Sequence, residues 1–379
     1  MKIIHLADTH LGHSAYRKLS ESGFNQREED VILSFLDAVD KIISMKPDVV
    51  LHSGDLFDTV RPTNRIVRIG IEQLLRIYNA KIPLVLISGN HETPKQLYKG
   101  SIYSIFDALP LDKERSHILY KEKYEQVKFD GLTIHAIPQC STDKIFKDEL
   151  KKVKIDPDTK NVLMLHAGVS GMKEFSHGEA NELLVDYGWI NKSKFDYVAL
   201  GHYHGCVNVG KNAWFSGSIE RMSFNEVGQA KGFLEVDLSG SEAKTKLVEV
   251  RTREMIEMPP IDAAGKDSVA LLEEILDKIE KQKPSGKIIR LTIRNIPQHV
   301  MNTLDTKGIR EAAKDAVHFE PRFEKVTEEG KTEEVKMLSG GIKEEFKSFL
   351  TAAKDLTKKE QEDFFEIWAK NYDEVIKEE

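Results

Sequence analysis

The chain has 379 residues, 40% of them hydrophobic and 31% charged. At roughly 150 residues per domain, this allows two or three domains with a large core and excludes a mostly disordered or collagen-like chain. Its 55 basic and 62 acidic residues leave a net charge of −7, so any affinity for nucleic acid must come from a local patch or a metal site.

No apolar run reaches the roughly 18 residues of a membrane-spanning helix. The N-terminus meets Asp8 too early for a signal peptide and reads instead as a first core strand. Two cysteines, Cys140 and Cys206, cannot build a disulfide framework; they favour a reducing cytoplasm and read as inert thiols. Short apolar runs at Ile3–Ala7, Val49–Leu51, Leu84–Ile87, Thr133–Ile137, Val162–Leu165 and Tyr197–Leu200 predict strands. Several are apolar at consecutive positions, as in strands covered on both faces. Helical spacing marks Glu29–Met45 and Asn64–Tyr78. From Gly205 to Val250 short strands dominate, and a second sheet packed on the first is expected.

Pro259-Pro260 suggests a boundary. Beyond it come a helix at Ser268–Ile279 and strands at Lys287–Ile293 and Ala316–Val326, a small α/β unit of its own. Thr327–Gly341 has no periodicity and reads as a linker. Ile342–Glu379 reads as two helices with aromatic stripes, including Phe346 and Phe349 on one and Phe364, Phe365 and Trp368 on the other. That tail carries seven lysines and eleven acids, so it is no DNA arm; its exposed aromatics ask for a partner. The expected organisation is 1–250, 251–326, linker 327–341 and tail 342–379.

Polar residues stand at the ends of the predicted strands: Asp8 and His10, Asp55, Asn90 and His91, His166, then His202 and His204. In an α/β sheet such ends gather at one edge, where ligands bind. Mixed carboxylate and imidazole donors suit two divalent ions such as manganese, zinc or iron. Paired ions clamp a phosphoryl group and generate hydroxide near neutral pH. His52 reads as a core histidine that could orient a ligand. Arg61, Arg65 and Arg68, at helical spacing after the Asp55 block, could grip DNA phosphates or form a solvated helix face. Arg27, Lys95 and Lys99 invite the same suggestion more weakly.

The ordered blocks Asp8-Thr9-His10, Gly54-Asp55, Gly89-Asn90-His91, His166-Ala167-Gly168 and Gly201-His202-Tyr203-His204 resemble the calcineurin-like metallophosphoesterases over about Met1–Val250. The resemblance implies an α/β two-sheet sandwich flanked by helices, with a small α/β cap domain and a C-terminal helical pair. It also implies one ion held by Asp8, His10, Asp55 and His204, and a second by Asp55, Asn90, His166 and His202. His91 then matches a non-ligand histidine that stabilises the transition state or protonates the leaving oxygen. Asn25–Asp30, Gly54-Asp55-Leu56-Phe57 and Ser216–Arg221 narrow the likeness to the SbcD, or meiotic-recombination-eleven, double-strand-break repair nucleases. Asp58, Glu92 and Ser216 depart from residues common in that family, which have histidine, aspartate and proline there.

The resemblance implies a cytoplasmic, manganese-dependent DNA nuclease with exo- or endonuclease activity, nucleoid-associated in a prokaryote. It also implies a homodimer whose tail recruits an SbcC-type ATPase. The rival readings are a nucleotide or small-diester phosphoesterase and a scaffold without catalysis.

Overall fold

Apolar residues of the core strands alternate between two hydrophobic layers, which is why their runs lack polar interruptions. In Val49-Val50-Leu51, Val50 packs with the helices while its neighbours face the inter-sheet core. In Tyr197-Val198-Ala199-Leu200, Tyr197 and Ala199 face the inter-sheet core, and Val198 and Leu200 the opposite layer. A period of two on strands buried on both faces produces this pattern. The computed structural model describes residues 1–95, 100–171, 182–326, 332–335, 350, 359, 361–362 and 364–369.

The strands are β1 Lys2–Leu6, β2 Val49–Ser53, β3 Leu84–Ile87, β4 Ser116–Leu119, β5 Glu125–Phe129, β6 Leu132–Ile137, β7 Lys160–His166, β8 Gly168–Ser170 and β9 Leu184–Asp186. There follow β10 Tyr197–Gly201, β11 Val207–Asn208, β12 Ala213–Phe215, β13 Gly232–Asp237, β14 Lys244–Glu249, β15 Met255–Asp262, β16 Ile288–Arg294, β17 His318–Val326 and β18 Thr332–Val335. The helices are α1 Gln26–Met45, α2 Asn64–Asn79, α3 Asp143–Leu150, α4 Tyr187–Lys192, α5 Ser268–Gln282, α6 Gln298–Thr303 and α7 Thr306–Ala312.

One six-stranded sheet has the order β14-β13-β1-β2-β3-β4 and the other β11-β12-β10-β7-β6-β5. They face each other across a core that includes Ile3, Leu51, Val85, Ile134, Met164 and Ala199. The late strands are shared out rather than forming a second sheet by themselves: β13 returns to pair antiparallel with β1, while β12 pairs with β10. Helix α1 begins three residues before the periodic stretch, because the Asn25 side chain accepts the N–H groups of Arg27 and Glu28. Thr63 caps α2 through the N–H of Ile66.

Two compact units emerge: Met1–Ile256 with Ser285–Ile288 and Ala316–His318, and the remaining described residues from Glu257 onward. In the second unit β15-β16-β17-β18 form a sheet, and α5 buries Leu271, Ile275 and Ile279 on one face. The stretch read as a linker contains a strand, β18, which pairs antiparallel with β17. Its pairing satisfies backbone groups, a contribution that side-chain periodicity does not report. Of the expected helical tail, 364–369 is helical, whereas Phe346 and Phe349 lie outside the described residues. Among the described residues no helix is long and apolar enough to cross a membrane.

Candidate metal centre

The C-terminal ends of β1, β2 and β3 in one sheet and of β7 and β10 in the other carry the seven proposed ligands into one cluster. Asp8, His10, Asp55 and His202 have φ of 51°, 50°, 55° and 102°, a region that side chains other than glycine rarely adopt. Each such residue costs on the order of 1 kcal/mol or more, and such strain concentrates at functional sites. Gly54 (φ 95°) and Gly89 let the loops pass close: a Cβ on Gly54 would strike the His166 ring, and one on Gly89 the Asp55 carboxylate.

Asp55 is the centre of the cluster. Its Oδ2 lies 3.3 Å from His166 Nε2, 3.8 Å from His10 Nε2 and 4.0 Å from His91 Nε2. Its Oδ1 accepts the His91 backbone N–H at 3.0 Å. Asp8 accepts the His202 backbone N–H at 3.0 and 3.1 Å, tying β1 to β10. His10 Nε2 and His204 Nε2 stand 3.1 Å apart. Asn90 Oδ1 lies 2.9 Å from His166 Nε2 and 3.3 Å from His202 Nδ1.

Three of the four rings are anchored by a hydrogen bond through their other nitrogen, and His10 approaches a carboxylate without one. His166 Nδ1–H donates to the Ser53 carbonyl at 2.8 Å, His202 Nε2–H to Glu182 at 3.0 Å and His204 Nδ1–H to Glu226 at 3.2 Å. His10 Nδ1 lies 3.1 Å from Asp58 Oδ1. A neutral imidazole has one N–H. With that hydrogen turned outward, the nitrogen lone pairs converge on each other, on Asn90 Oδ1 and on Asp55. Lewis acids satisfy such a set, so the residues fit divalent cations. Three groupings lie close enough to share an ion: Asp8, His10 and His204; His10, Asp55 and His91; Asp8, Asp55 and His166.

The electrostatics of the cluster follow from burial and these contacts. Burial raises the Asp8 carboxyl to about 6, against the charges of His166 and His204. Burial pushes Asp55 upward too, but the charge and hydrogen bond of His166, with the charges of His91 and His10, hold it well below the usual range. Burial disfavours a charged His166, yet Asp55 and Asp8 raise it to about 9. His91 is likewise raised, because Asp55 and the Asp58 backbone outweigh its desolvation.

Around this centre, His52 is a buried histidine hydrogen-bonded to Thr9 at 2.9 Å, between Asp8 and His10. Arg61 is exposed, Arg65 is paired with Glu28 and Glu29 and lies over the Phe24 ring, and Arg68 pairs with Glu72. A phosphate would have to displace these carboxylates from Arg65 and Arg68. Arg27 is buried against Asp30 and Glu220, which removes it as a phosphate contact; Lys95 is exposed and Lys99 lies outside the described residues. Sequence reading missed Glu182 and Glu226 altogether, and saw Asp58 only as a departure from a family pattern. None of the three is marked by a local motif, since each meets its histidine through tertiary contact.

A model of the calcineurin-like phosphoesterase family matches residues 1–206. The chain is 33% identical over 259 residues to the DNA double-strand break repair protein Mre11 of Methanococcus maripaludis, covering 63% of this chain and 64% of that protein. It is 31% identical over 313 residues to the protein of that name from Methanocaldococcus jannaschii, covering 76% and 77%. Identity to the Sulfurisphaera tokodaii protein of that name is 26% over 314 residues, covering 79% and 76%. The match thus spans somewhat under two thirds of the first of these relatives and about three quarters of the other two.

Proposed function

From the premise that this chain belongs to the calcineurin-like phosphoesterase family, and within it to the Mre11/SbcD group of DNA double-strand break repair proteins, we propose that it is a two-cation nuclease cutting phosphodiesters near DNA ends. One cation is assigned to Asp8, His10, Asp55 and His204, the other to Asp55, Asn90, His166 and His202. Manganese is the expected ion. The observation that carries this reading is the position of Asp55 Oδ2, with His166 on one side and His10 on the other at 3.3 and 3.8 Å. One buried carboxylate is therefore shared between two ligand groups.

Divalent cations held there would supply positive charge to the phosphoryl oxygens and an activated water. The chain's own residues do the rest. Asp8 and Asp55 supply anionic oxygens, and the three anchored rings of His166, His202 and His204 hold their nitrogens in place without reorganisation. His91, with Nε2 4.0 Å from Asp55 and a side chain 39% exposed, stands at the mouth of the cluster. Its raised proton affinity suits it to hold a proton for the departing 3′-oxygen.

The remaining parts of the reading concern partners. Residues 1–250 form the nuclease domain, 251–326 shape the DNA path, and the tail binds an SbcC-type ATPase. In the described helical stretch 364–369, Phe364 is 51% exposed and Phe365 and Trp368 lie side by side at 6.5 Å. Dimerisation is expected through α1 or α2. Comparing manganese-supported cleavage of linear duplex DNA with that of a nitrophenyl diester tests the function, with Asp55→Asn as the control. Activity confined to the small diester would make the chain a small-diester phosphoesterase; unchanged DNA cleavage by Asp55→Asn would remove the catalytic assignment. Truncation before Ile342 should abolish ATPase binding and leave basal cleavage.

A further inference from the structure

Glu226 belongs to none of the blocks that point to phosphoester chemistry. It ends the short turn Phe224–Glu226, is 6% exposed, and accepts the Nδ1–H of His204 with Oε1 at 3.2 Å. Its other oxygen is gripped by the ammonium of Lys231, which is 2% exposed. That ammonium also donates to the His204 backbone carbonyl at 2.8 Å, to Ser218 Oγ at 3.0 Å and to Gln229 Oε1 at 3.1 Å. One cation therefore holds both the main chain of His204 and the carboxylate that grips its ring. Ser218 N–H donates to the same carbonyl at 3.0 Å, and Gly217 (φ 76°) approaches so closely that a Cβ there would meet it at 2.7 Å.

A buried ion pair is weak evidence for stability, because desolvating two charges offsets most of their attraction. What the pair does here is directional. A carboxylate on Nδ1–H selects one tautomer and one ring orientation, leaving the Nε2 lone pair facing His10 Nε2 at 3.1 Å. We infer that the buried Glu226–Lys231 pair, carried against the Ser216–Arg221 block, is the positioning device of His204, aiming its Nε2 at a divalent cation. The inference rests on the reading of His204 as a cation ligand.

Two measurements on the full chain test it. Ring nitrogen NMR of histidine-labelled wild type should show a proton on His204 Nδ1; an Nδ1 without a proton overturns the inference whether or not any variant folds. Calorimetric titration of the cation-free chain with Mn2+ should give two classes of site in the wild type. In Glu226→Gln, and in the charge-neutral double variant Glu226→Gln/Lys231→Met, one class should weaken about 10- to 100-fold and the other stay as it was. A pair that merely stabilises the fold would lower the Tm of the cation-free chain and leave both affinities unchanged, and that result also overturns it. Wild type that takes up no Mn2+ sinks the two-cation reading together with this one. Two wild-type classes that ignore both variants sink this one alone.

Discussion

His91 donates its Nδ1–H to the backbone carbonyl of Asp58 at 2.7 Å, across 33 residues of chain. The loop that follows Asp55 thus sets the tautomer of the histidine, and Nε2 is left facing the cluster. The side chain of Asp58 turns the other way, to His10 and His13 at 3.1 and 3.5 Å. His91→Gln should therefore lower kcat for DNA cleavage by about 10²-fold or more while leaving bound manganese unchanged. Steady-state kinetics with metal analysis of the same preparation checks this; a variant that loses manganese would place His91 among the ligands instead.

Cation uptake should release protons and strengthen with pH. Without a cation, Asp8 holds its proton up to about 6 and His166 up to about 9. A divalent ion competes with both, so raising the pH through this window frees its donors. Manganese affinity should be roughly tenfold or more weaker at about pH 6 than at about pH 8. Calorimetry in buffers of different ionisation enthalpy counts the protons; none released would contradict the assignment of these two residues.

Glu92 clamps two ligand loops. Its Oε1 accepts the Phe57 N–H at 2.7 Å and the Tyr103 hydroxyl at 3.1 Å, and its Oε2 accepts the Gly89 N–H at 2.9 Å. Glu92→Gln turns a donor against a donor, which should cost about 1–3 kcal/mol in denaturant unfolding. Glu92→Asp, the residue more common in the family, is one methylene short of spanning both loops and should also destabilise.

The acid limb of stability should depend on Glu226. Burial opposes its ionisation, but His204 and Lys231 hold the carboxyl down to about 2. A depressed carboxyl stabilises the fold above the unfolded value of about 4.3, and that contribution is lost as the pH falls through about 2. The Glu226→Gln/Lys231→Met chain should show a flatter decline of ΔG between about pH 4 and pH 2 in denaturant titrations.

Two of the arginines after Asp55, Arg61 and Arg65, should separate by salt dependence. Arg61→Ala should reduce the slope of log K for DNA against log salt by about 1, as expected for one phosphate contact. Arg65→Ala should instead cost about 1 kcal/mol of stability, since Arg65 joins α2 to Glu28 and Glu29 at the start of α1. Equal slopes for wild type and Arg61→Ala would remove Arg61 from the DNA path.

The amino-acid sequence by itself determined the core strands that carry the site and where their polar ends fall. Strands such as Leu84–Ile87 are uninterrupted apolar runs, and Asp8, Asp55, Asn90, His166 and His202 follow such runs closely. It also determined helices α1, α2 and α5, with Asn25 extending α1 through a cap that a periodicity count overlooks. Only the tertiary structure decided which strand joins which sheet, that β18 forms within an aperiodic stretch, and that Arg65 and Arg27 are engaged by carboxylates. It likewise decided that Asp58, Glu182 and Glu226 back the histidines. Hydrophobic period and capping act over a few residues and leave a trace in local order. Pairings such as His10 with His204, 194 residues apart, follow from the way two sheets stack, which no short stretch of chain records.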